Sequence, residues 1–124
     1  MIDFTIVGQM KSGKNGMQVT RMGHHFPKPE WAAWRNQAVL QIKSQLPMGF
    51  KTITEPISVV VNYTKSDKRR RDVPGMADAL YHVLERAGVL ADDSLAEDLY
   101  WTCAGLDRDN PGITIRILDS GDTK

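Results

Sequence analysis

The sequence has little cysteine and no long apolar run. Cys103 is the only cysteine among 124 residues, so no disulfide can form within the chain and no second thiol can act as a metal ligand. No hydrophobic stretch approaches the roughly 20 residues that a membrane-spanning helix needs. The first residues, MIDFTIVG, carry an acid where a signal peptide has its basic segment. We therefore expect a cytoplasmic protein with no membrane partner, in which Cys103 is an ordinary small residue of a strand.

The composition is that of one globular domain. Hydrophobic residues make up 41% of the chain, enough for a single core, and we expect one domain over residues 1–124 with a disordered tail at residues 120–124. The charges are divided unevenly: residues 1–71 carry 12 Lys and Arg against 4 Asp and Glu, and residues 72–124 carry 4 against 11. This division indicates a basic surface for a polyanion beside a carboxylate region that can hold a cation. Ordinary solvated charge is the alternative.

Two segments have the apolar periodicity of amphipathic helices. The first covers residues 30–46, whose tryptophans we assign to the core. The second covers residues 74–87, with Pro74 in its first turn and Gly88 just past its end. The polar face of this second helix is formed by Asp78, His82 and Glu85.

Four segments have the pattern of strands, by alternation or by β-branched content. These strands are predicted at residues 2–7, 57–63, 99–104 and 113–118. The second of them is too uniformly apolar for an exposed edge and should lie inside the sheet. Residues 8–29 have the composition of a loop or a loose hairpin, and GLDRDNPG forms the turn before the last strand. This order predicts an α/β (α+β) fold, with one mixed sheet of about four strands packed by two helices.

The stretch GQMKSGKN, residues 8–15, has the glycines and lysine of a phosphate-binding P-loop. Asn15 replaces the hydroxyl that binds Mg²⁺ in that motif, and glycine and proline residues follow where a helix is required. We therefore expect no nucleotide cofactor. The segment suits a flexible basic loop on a phosphate backbone, with contacts from Lys11, Lys14 and Arg21.

A run of basic residues meets a carboxylate at the start of the second helix. The run consists of Lys68, Arg69, Arg70 and Arg71, followed directly by Asp72. Asp92 and Asp93 follow the helix, in the short acidic connection VLADDSLAED. If neighbouring strands bring these two places together, the carboxylates are suitable ligands for Mg²⁺ or Mn²⁺, and the basic run would contact nucleic-acid phosphates. The alternative is that Asp72 caps the helix and the other two aspartates sit in a turn.

The segment RRRDVPGMADALYHVLERAGVLADDSLAEDLYW, from Arg69 to Trp101, resembles the central motif of RusA-type Holliday-junction resolvases. The basic run, the aspartate, the helix, the AGV turn and the DD pair occur in the same order without gaps. The resemblance implies a homodimeric phage or bacterial endonuclease that depends on Mg²⁺, with Mn²⁺ as an alternative ion, and cuts four-way DNA junctions by paired nicks. It also implies that Asp72 and Asp93 are catalytic metal-binding carboxylates with Asp92 beside them.

The sequence departs from that family's pattern at three positions. Pro74 and Gly75 stand where the family has a second aspartate and an asparagine, and Asp78 stands where it has a lysine. Our hypothesis is that Asp78 is a catalytic replacement, with its carboxylate directed back toward Asp72, and that Arg70 or Arg71 supplies the missing positive charge. Two other functions stay open: a non-catalytic module that binds branched DNA, and a metal-dependent nuclease that acts on RNA or another structured nucleic acid.

Overall fold

The computed structural model describes residues 2–11, 17–19, 25–69 and 71–119, with the backbone alone at 17–19 and 25–27. Its strands are β1 (Ile2–Val7), β2 (Met17–Val19), β3 (His25–Pro27), β4 (Ile57–Lys65), β5 (Ala96–Leu106) and β6 (Gly112–Asp119). Its helices are α1 (Pro29–Gln45) and α2 (Val73–Arg86), with a 3-10 turn at Asp93–Leu95. The tail predicted at residues 120–124 lies outside the described residues.

Four strands form one mixed sheet in the order β1-β6-β4-β5. β1 and β4 each pair antiparallel with β6, whereas β4 and β5 are parallel. Parallel neighbours need a crossover connection, and α2 provides it by carrying the chain back from the end of β4 to the start of β5. The predicted α/β fold is confirmed, with a mixed four-stranded sheet, two helices and β4 inside the sheet.

Both helices pack on the same face of this sheet. The strands contribute Phe4, Val61 and Ile115 to the core, and α1 and α2 contribute Ile42 and Leu80. The strand alternation explains this arrangement, because residues two apart share a face. The other face presents polar residues to solvent, including Thr5, Asn62 and Thr114. Neither described helix is long and apolar enough to cross a membrane.

The predicted helices and strands begin and end within two residues of the observed ones, except at β5. Glu97 and Asp98 lie in this strand rather than in the acidic connection, because its ladder with β4 already begins at Ala96. Gly105 and Leu106 lie in the strand rather than in the turn, because the ladder resumes after an irregularity in register. Exposed residues near both ends of β5 interrupt the strand pattern there, so the sequence locates only residues 99–104 of this strand. The hairpin alternative for residues 8–29 agrees with the separate antiparallel pair of β2 and β3.

The two edges of the main sheet differ in how their backbone groups are satisfied. At β1, the Gln45 side-chain amide accepts from the Thr5 N–H at 2.8 Å and donates to the Thr5 carbonyl at 2.7 Å. Gln41 likewise accepts from the Val7 N–H at 2.7 Å. These two side chains of α1 occupy the place of a neighbouring strand and block this edge. At the other edge, β5 pairs only with β4 among the described residues.

Candidate active site

The chain reverses sharply after α2 and brings acidic residues together. Gly88 has φ +81°, a left-handed conformation that favours glycine, as predicted for the position after the helix. The Val89 N–H then donates to the Leu84 carbonyl at 2.9 Å, which fixes the reversed chain against the last helical turn. Further on, the Asp93 backbone N–H donates a short hydrogen bond to Glu85 Oε1. This bond ties the start of the 3-10 turn to the end of the helix.

The reversal creates an acidic cluster of Glu85, Asp92 and Asp93. One carboxylate oxygen from each residue lies within 4.8 Å of the others, and all three residues are exposed. Asp92 also caps the 3-10 turn, because its side chain accepts from the Ser94 N–H at 3.1 Å. This cap leaves room for a second role, since an ionised carboxylate has about four acceptor sites.

The two aspartates of the acidic cluster differ in their affinity for protons. Hydrogen bonding, first from the Ser94 backbone, lowers the pKa of Asp92. The pKa of Asp93 is raised, first by its side-chain hydrogen bond with Asp92, then by desolvation and by the negative charges of Glu85 and Asp92. Such mutual repulsion is relieved by a proton or by a bound cation.

Carboxylates in this arrangement suit a hard divalent cation. Mg²⁺ binds oxygen ligands at about 2.0–2.1 Å and usually keeps several waters beside one or two protein carboxylates. The acidic cluster offers three carboxylates on the exposed surface, so it can hold such an ion and leave ligand positions open to water or phosphate. A cation held there would lower the pKa of a bound water and so assist its attack as a nucleophile.

Asp72 lies at the opposite end of α2. It is the N-cap residue of the helix, and its carbonyl accepts from the Met76 N–H at 3.0 Å. The rise of the helix from Asp72 to Glu85 is about 20 Å, at 1.5 Å per residue. The strand pairing gives the same separation. The acidic cluster lies just before Ala96, which pairs with Ile57 at the start of β4, whereas Asp72 follows the end of β4. One chain therefore does not bring Asp72 to the acidic cluster, and its role as a metal ligand stays a prediction.

Asp78 lies between these two ends, on the exposed side of α2. Along the helix axis it is about 9 Å from Asp72 and about 10 Å from Glu85. Burial raises the pKa of Tyr81, and the negative charges of Asp78 and Asp93 raise it further. The charges of Asp78 and of Asp93, a member of the acidic cluster, therefore both act on Tyr81. The catalytic role of Asp78 stays a prediction.

Basic residues gather near Asp72, where β4 ends. Lys65, Arg69 and Arg71 line one cavity there. Arg71 donates to both carboxylate oxygens of Asp67, at 2.9 and 3.2 Å. The bond to Arg71 lowers the pKa of Asp67, and the bond to Asp67 raises the pKa of Arg71. This pair holds Arg71 in place, whereas the Arg69 side chain is 84% exposed and can reach a phosphate.

The remaining predicted phosphate contacts are spread over the chain. Lys68 is exposed just before Arg69, and Lys11 is exposed after β1. Lys14, Arg21 and Arg70 lie outside the described residues. The role of these residues in binding DNA stays a prediction.

Sequence reasoning alone misses two parts of this region. Glu85 belongs to the acidic cluster, and a signal for it exists, because a glutamate in the last helical turn precedes the reversal at Gly88. The aromatic rings of Tyr63 and Trp101 border the basic residues, with ring centroids 5.8 Å apart. This contact depends on the register of β4 and β5, which spacing along the chain does not determine.

Comparison with models of known protein families finds no match for this chain. Among curated proteins, the chain is similar to the crossover junction endodeoxyribonuclease RusA of Aquifex aeolicus (strain VF5), with 29% identity over 97 residues. The alignment covers 77% of this chain and 73% of that protein. This similarity supports the resemblance carried by the segment from Arg69 to Trp101.

Proposed function

We propose that this chain is a RusA-type resolvase, a Mg²⁺-dependent endonuclease that hydrolyses phosphodiester bonds at four-way DNA junctions. The observation that carries the proposal is the acidic cluster, because it contains Asp93, which the family resemblance implies is a metal-binding carboxylate with Asp92 beside it. The similarity to a crossover junction endodeoxyribonuclease supports it separately. Such an enzyme serves recombination and repair in the cytoplasm of a bacterial or phage-infected cell.

Different groups of residues would have different roles in the proposed reaction. The carboxylates of the acidic cluster hold the cation, which when bound activates a water for attack on the phosphate. Lys65 and Arg69 would attract the DNA backbone, which the three carboxylates of the acidic cluster would otherwise repel. Guanidinium groups near the cleaved phosphate would stabilise the charge that grows in the transition state. These roles require the basic side chains and the acidic cluster to contact the same phosphate.

A homodimer would meet that requirement. Within one chain, Asp72 and the basic residues lie about 20 Å from the acidic cluster along α2. A two-fold axis that sets two chains antiparallel would place the acidic cluster of one beside the partner's Asp72 and arginines. The two sites formed in this way would match the two symmetric cuts that a four-way junction needs.

The exposed edge of β5 is the surface that we propose for this contact. Gln41 and Gln45 block the opposite edge of the sheet, whereas β5 pairs only with β4 in the described part of the chain. Antiparallel pairing of two β5 strands would set the Ala96 end of one against the Leu106 end of the other. The first end adjoins the acidic cluster, and the second pairs with Lys65 at the basic end of β4. Dimerisation through β5 would therefore complete both sites.

The test is an assay on a synthetic four-way junction, with a linear duplex of the same sequences as the control. We expect wild type to make paired nicks in the junction with Mg²⁺ or Mn²⁺ and none with EDTA. Asp93→Asn should bind the junction without cutting it, because it loses a ligand from the acidic cluster. Cutting of the linear duplex at the same rate as the junction would contradict junction specificity. Cutting of a structured RNA faster than the junction would favour the RNA nuclease.

A non-catalytic DNA-binding module is the second candidate. Pro74 and Gly75 favour it, because they replace a carboxylate and an amide in the pattern of the resolvase family. Such a module would keep the basic residues near Asp72 and bind branched DNA in a salt-sensitive manner. Tight junction binding by wild type, with no cleavage in either metal, would support this candidate over the enzyme.

A further inference from the structure

A cavity of about 400 Å³ opens between β4, β5 and the first turn of α2. Its volume lies in the range of about 300–1,000 Å³ that small-molecule sites occupy. Its lining includes Tyr63, Trp101 and Cys103, together with Lys65, Arg69 and Arg71. They combine an apolar, aromatic wall with three cationic side chains.

The two aromatic side chains of the wall, Tyr63 and Trp101, have different surroundings. Trp101 is partly exposed, but its Nε1 atom is buried and has no hydrogen-bond partner among the described residues. The indole therefore offers carbon surface to the cavity and not its N–H group. Tyr63 is only 3% exposed, and its hydroxyl accepts from Gln9 Nε2 at 2.6 Å. The partly exposed carbon surface of Trp101 suits stacking against a planar ring.

The cationic side chains lie at different depths. Arg71 is 19% exposed and donates to Asp67 at 2.9 Å, whereas Arg69 is 84% exposed and its Nε lies 4.0 Å from the same carboxylate. Asp67 balances only part of the positive charge of Lys65, Arg69 and Arg71. Proteins that bind single nucleic-acid strands combine cations for the phosphates with aromatic rings for the bases.

We propose that this cavity receives one unstacked nucleotide of a DNA strand, with its base against Trp101 and its flanking phosphates on Arg69 and Lys65. The inference rests on the proposed function, because a branched or unpaired base leaves its stack at lower cost than a base in a duplex. Since the cavity adjoins the first turn of α2, directly after Asp72, the captured base lies next to a predicted catalytic residue. In the proposed function, the cavity would hold the base beside the cut.

The first test uses Cys103, the only cysteine of the chain, as a reporter inside the cavity. Alkylation of wild type by N-ethylmaleimide is timed in EDTA, so that no cleavage occurs. We expect single-stranded DNA to slow alkylation strongly, and an abasic strand of equal length to slow it little. Mononucleotides at the same base concentration should also protect little, because each carries one phosphate and not the two that flank a base within a strand. Equal protection by the abasic strand, or by mononucleotides, would overturn the inference.

The second test replaces the aromatic surface. Trp101→Ala should weaken binding of the base-containing strand by about 5- to 140-fold, the range for loss of one base–aromatic stack. Binding of the abasic strand should stay unchanged, which also shows that the variant is folded. Trp101→Phe should restore the preference for bases, and Trp34→Phe, outside the cavity, should leave it unaltered. Equal weakening for both strands would show a structural role for Trp101 and overturn base stacking.

Junction cleavage by wild type distinguishes the two proposals. Metal-dependent cleavage with equal protection by base-containing and abasic strands would defeat the cavity inference alone. Base-dependent protection without cleavage in Mg²⁺ or Mn²⁺ would defeat the nuclease and leave the cavity as a strand-binding site.

Discussion

Asp93 donates its backbone N–H to the carboxylate of Glu85, across the reversal between α2 and β5. Through this bond the fold places the side chains of Glu85, Asp92 and Asp93 in one exposed group. The side-chain hydrogen bond with Asp92 and then desolvation raise the pKa of Asp93, and the like charges of Glu85 and Asp92 raise it further. A divalent cation would offset the repulsion.

Mn²⁺ or Mg²⁺ should therefore raise the Tm of the protein. A ligand at a hundred times its Kd stabilises the folded state by about 2.7 kcal/mol if it does not bind the unfolded chain. Glu85→Gln should lose most of this shift, measured by differential scanning fluorimetry. Glu97→Gln is the matched control, because Glu97 is an exposed acid of β5 outside the acidic cluster. An equal metal-induced shift in Glu85→Gln would show that Glu85 is not a ligand.

Asp78→Asn should abolish metal-dependent junction cleavage and leave junction binding intact. The reason is that Asp78 stands in the helix where the resolvase family has a catalytic side chain, while its exposed position makes a folding defect unexpected. Cleavage and gel-shift assays on the same junction separate the two effects. Glu30→Gln, an exposed acid in the first turn of α1, serves as the control. Wild-type cleavage by Asp78→Asn would end the replacement hypothesis.

Mixing Asp72→Asn with Asp93→Asn should restore cleavage that neither variant has alone. In a mixed dimer, one site would join the intact acidic cluster of one chain to the partner's intact Asp72. Single nicks are expected, because the second site of that dimer carries both defects. A mixture of Asp93→Asn with Glu85→Gln is the control, since both changes damage the acidic cluster and no intact site can form. Inactivity of the first mixture would place the whole site within one chain.

Gly112→Ala should destabilise the protein more than Gly49→Ala. Both glycines have positive φ, for which an L residue pays about 1–2 kcal/mol in the left-handed region. At Gly112 an added Cβ would also collide with the Ile6 carbonyl oxygen across the β1–β6 pair, whereas Gly49 has open space. The collision should add an overpacking cost of about 1–3 kcal/mol. Urea unfolding measures both variants, and equal losses would contradict the collision.

The stability of the protein should fall as the pH is lowered through about 6.5, the ordinary pKa of histidine. Desolvation, then the charges of Arg35 and Arg86, lowers the pKa of His82 in the folded state. The unfolded chain therefore binds more protons than the folded chain in this range, so acid favours unfolding. His82→Gln should show a shallower loss of Tm between pH 7 and pH 5.5. An equal loss of Tm with falling pH in wild type and His82→Gln would contradict this role of His82.

Most of the secondary structure could be predicted because it depends on local patterns. Apolar spacing locates both helices, Gly88 marks the end of α2, and alternation identifies β1 and β6. The ends of β5 could not be found in this way. Its residues near Leu106 are exposed, and they are strand because they hydrogen-bond to β4, a partner distant in sequence.

The sequence by itself determined which groups could carry the chemistry: the Asp92–Asp93 pair, Asp72, and the basic run before it. Only the tertiary structure decided which of them meet. The crossover through α2 makes β4 and β5 parallel, so residues at the two ends of the helix lie at opposite ends of the strands. The reversal after α2 gathers Glu85 with the aspartates, and strand register sets Trp101 beside the arginines. Spacing along a chain specifies local hydrogen bonding, whereas distances across the fold depend on how its elements pack.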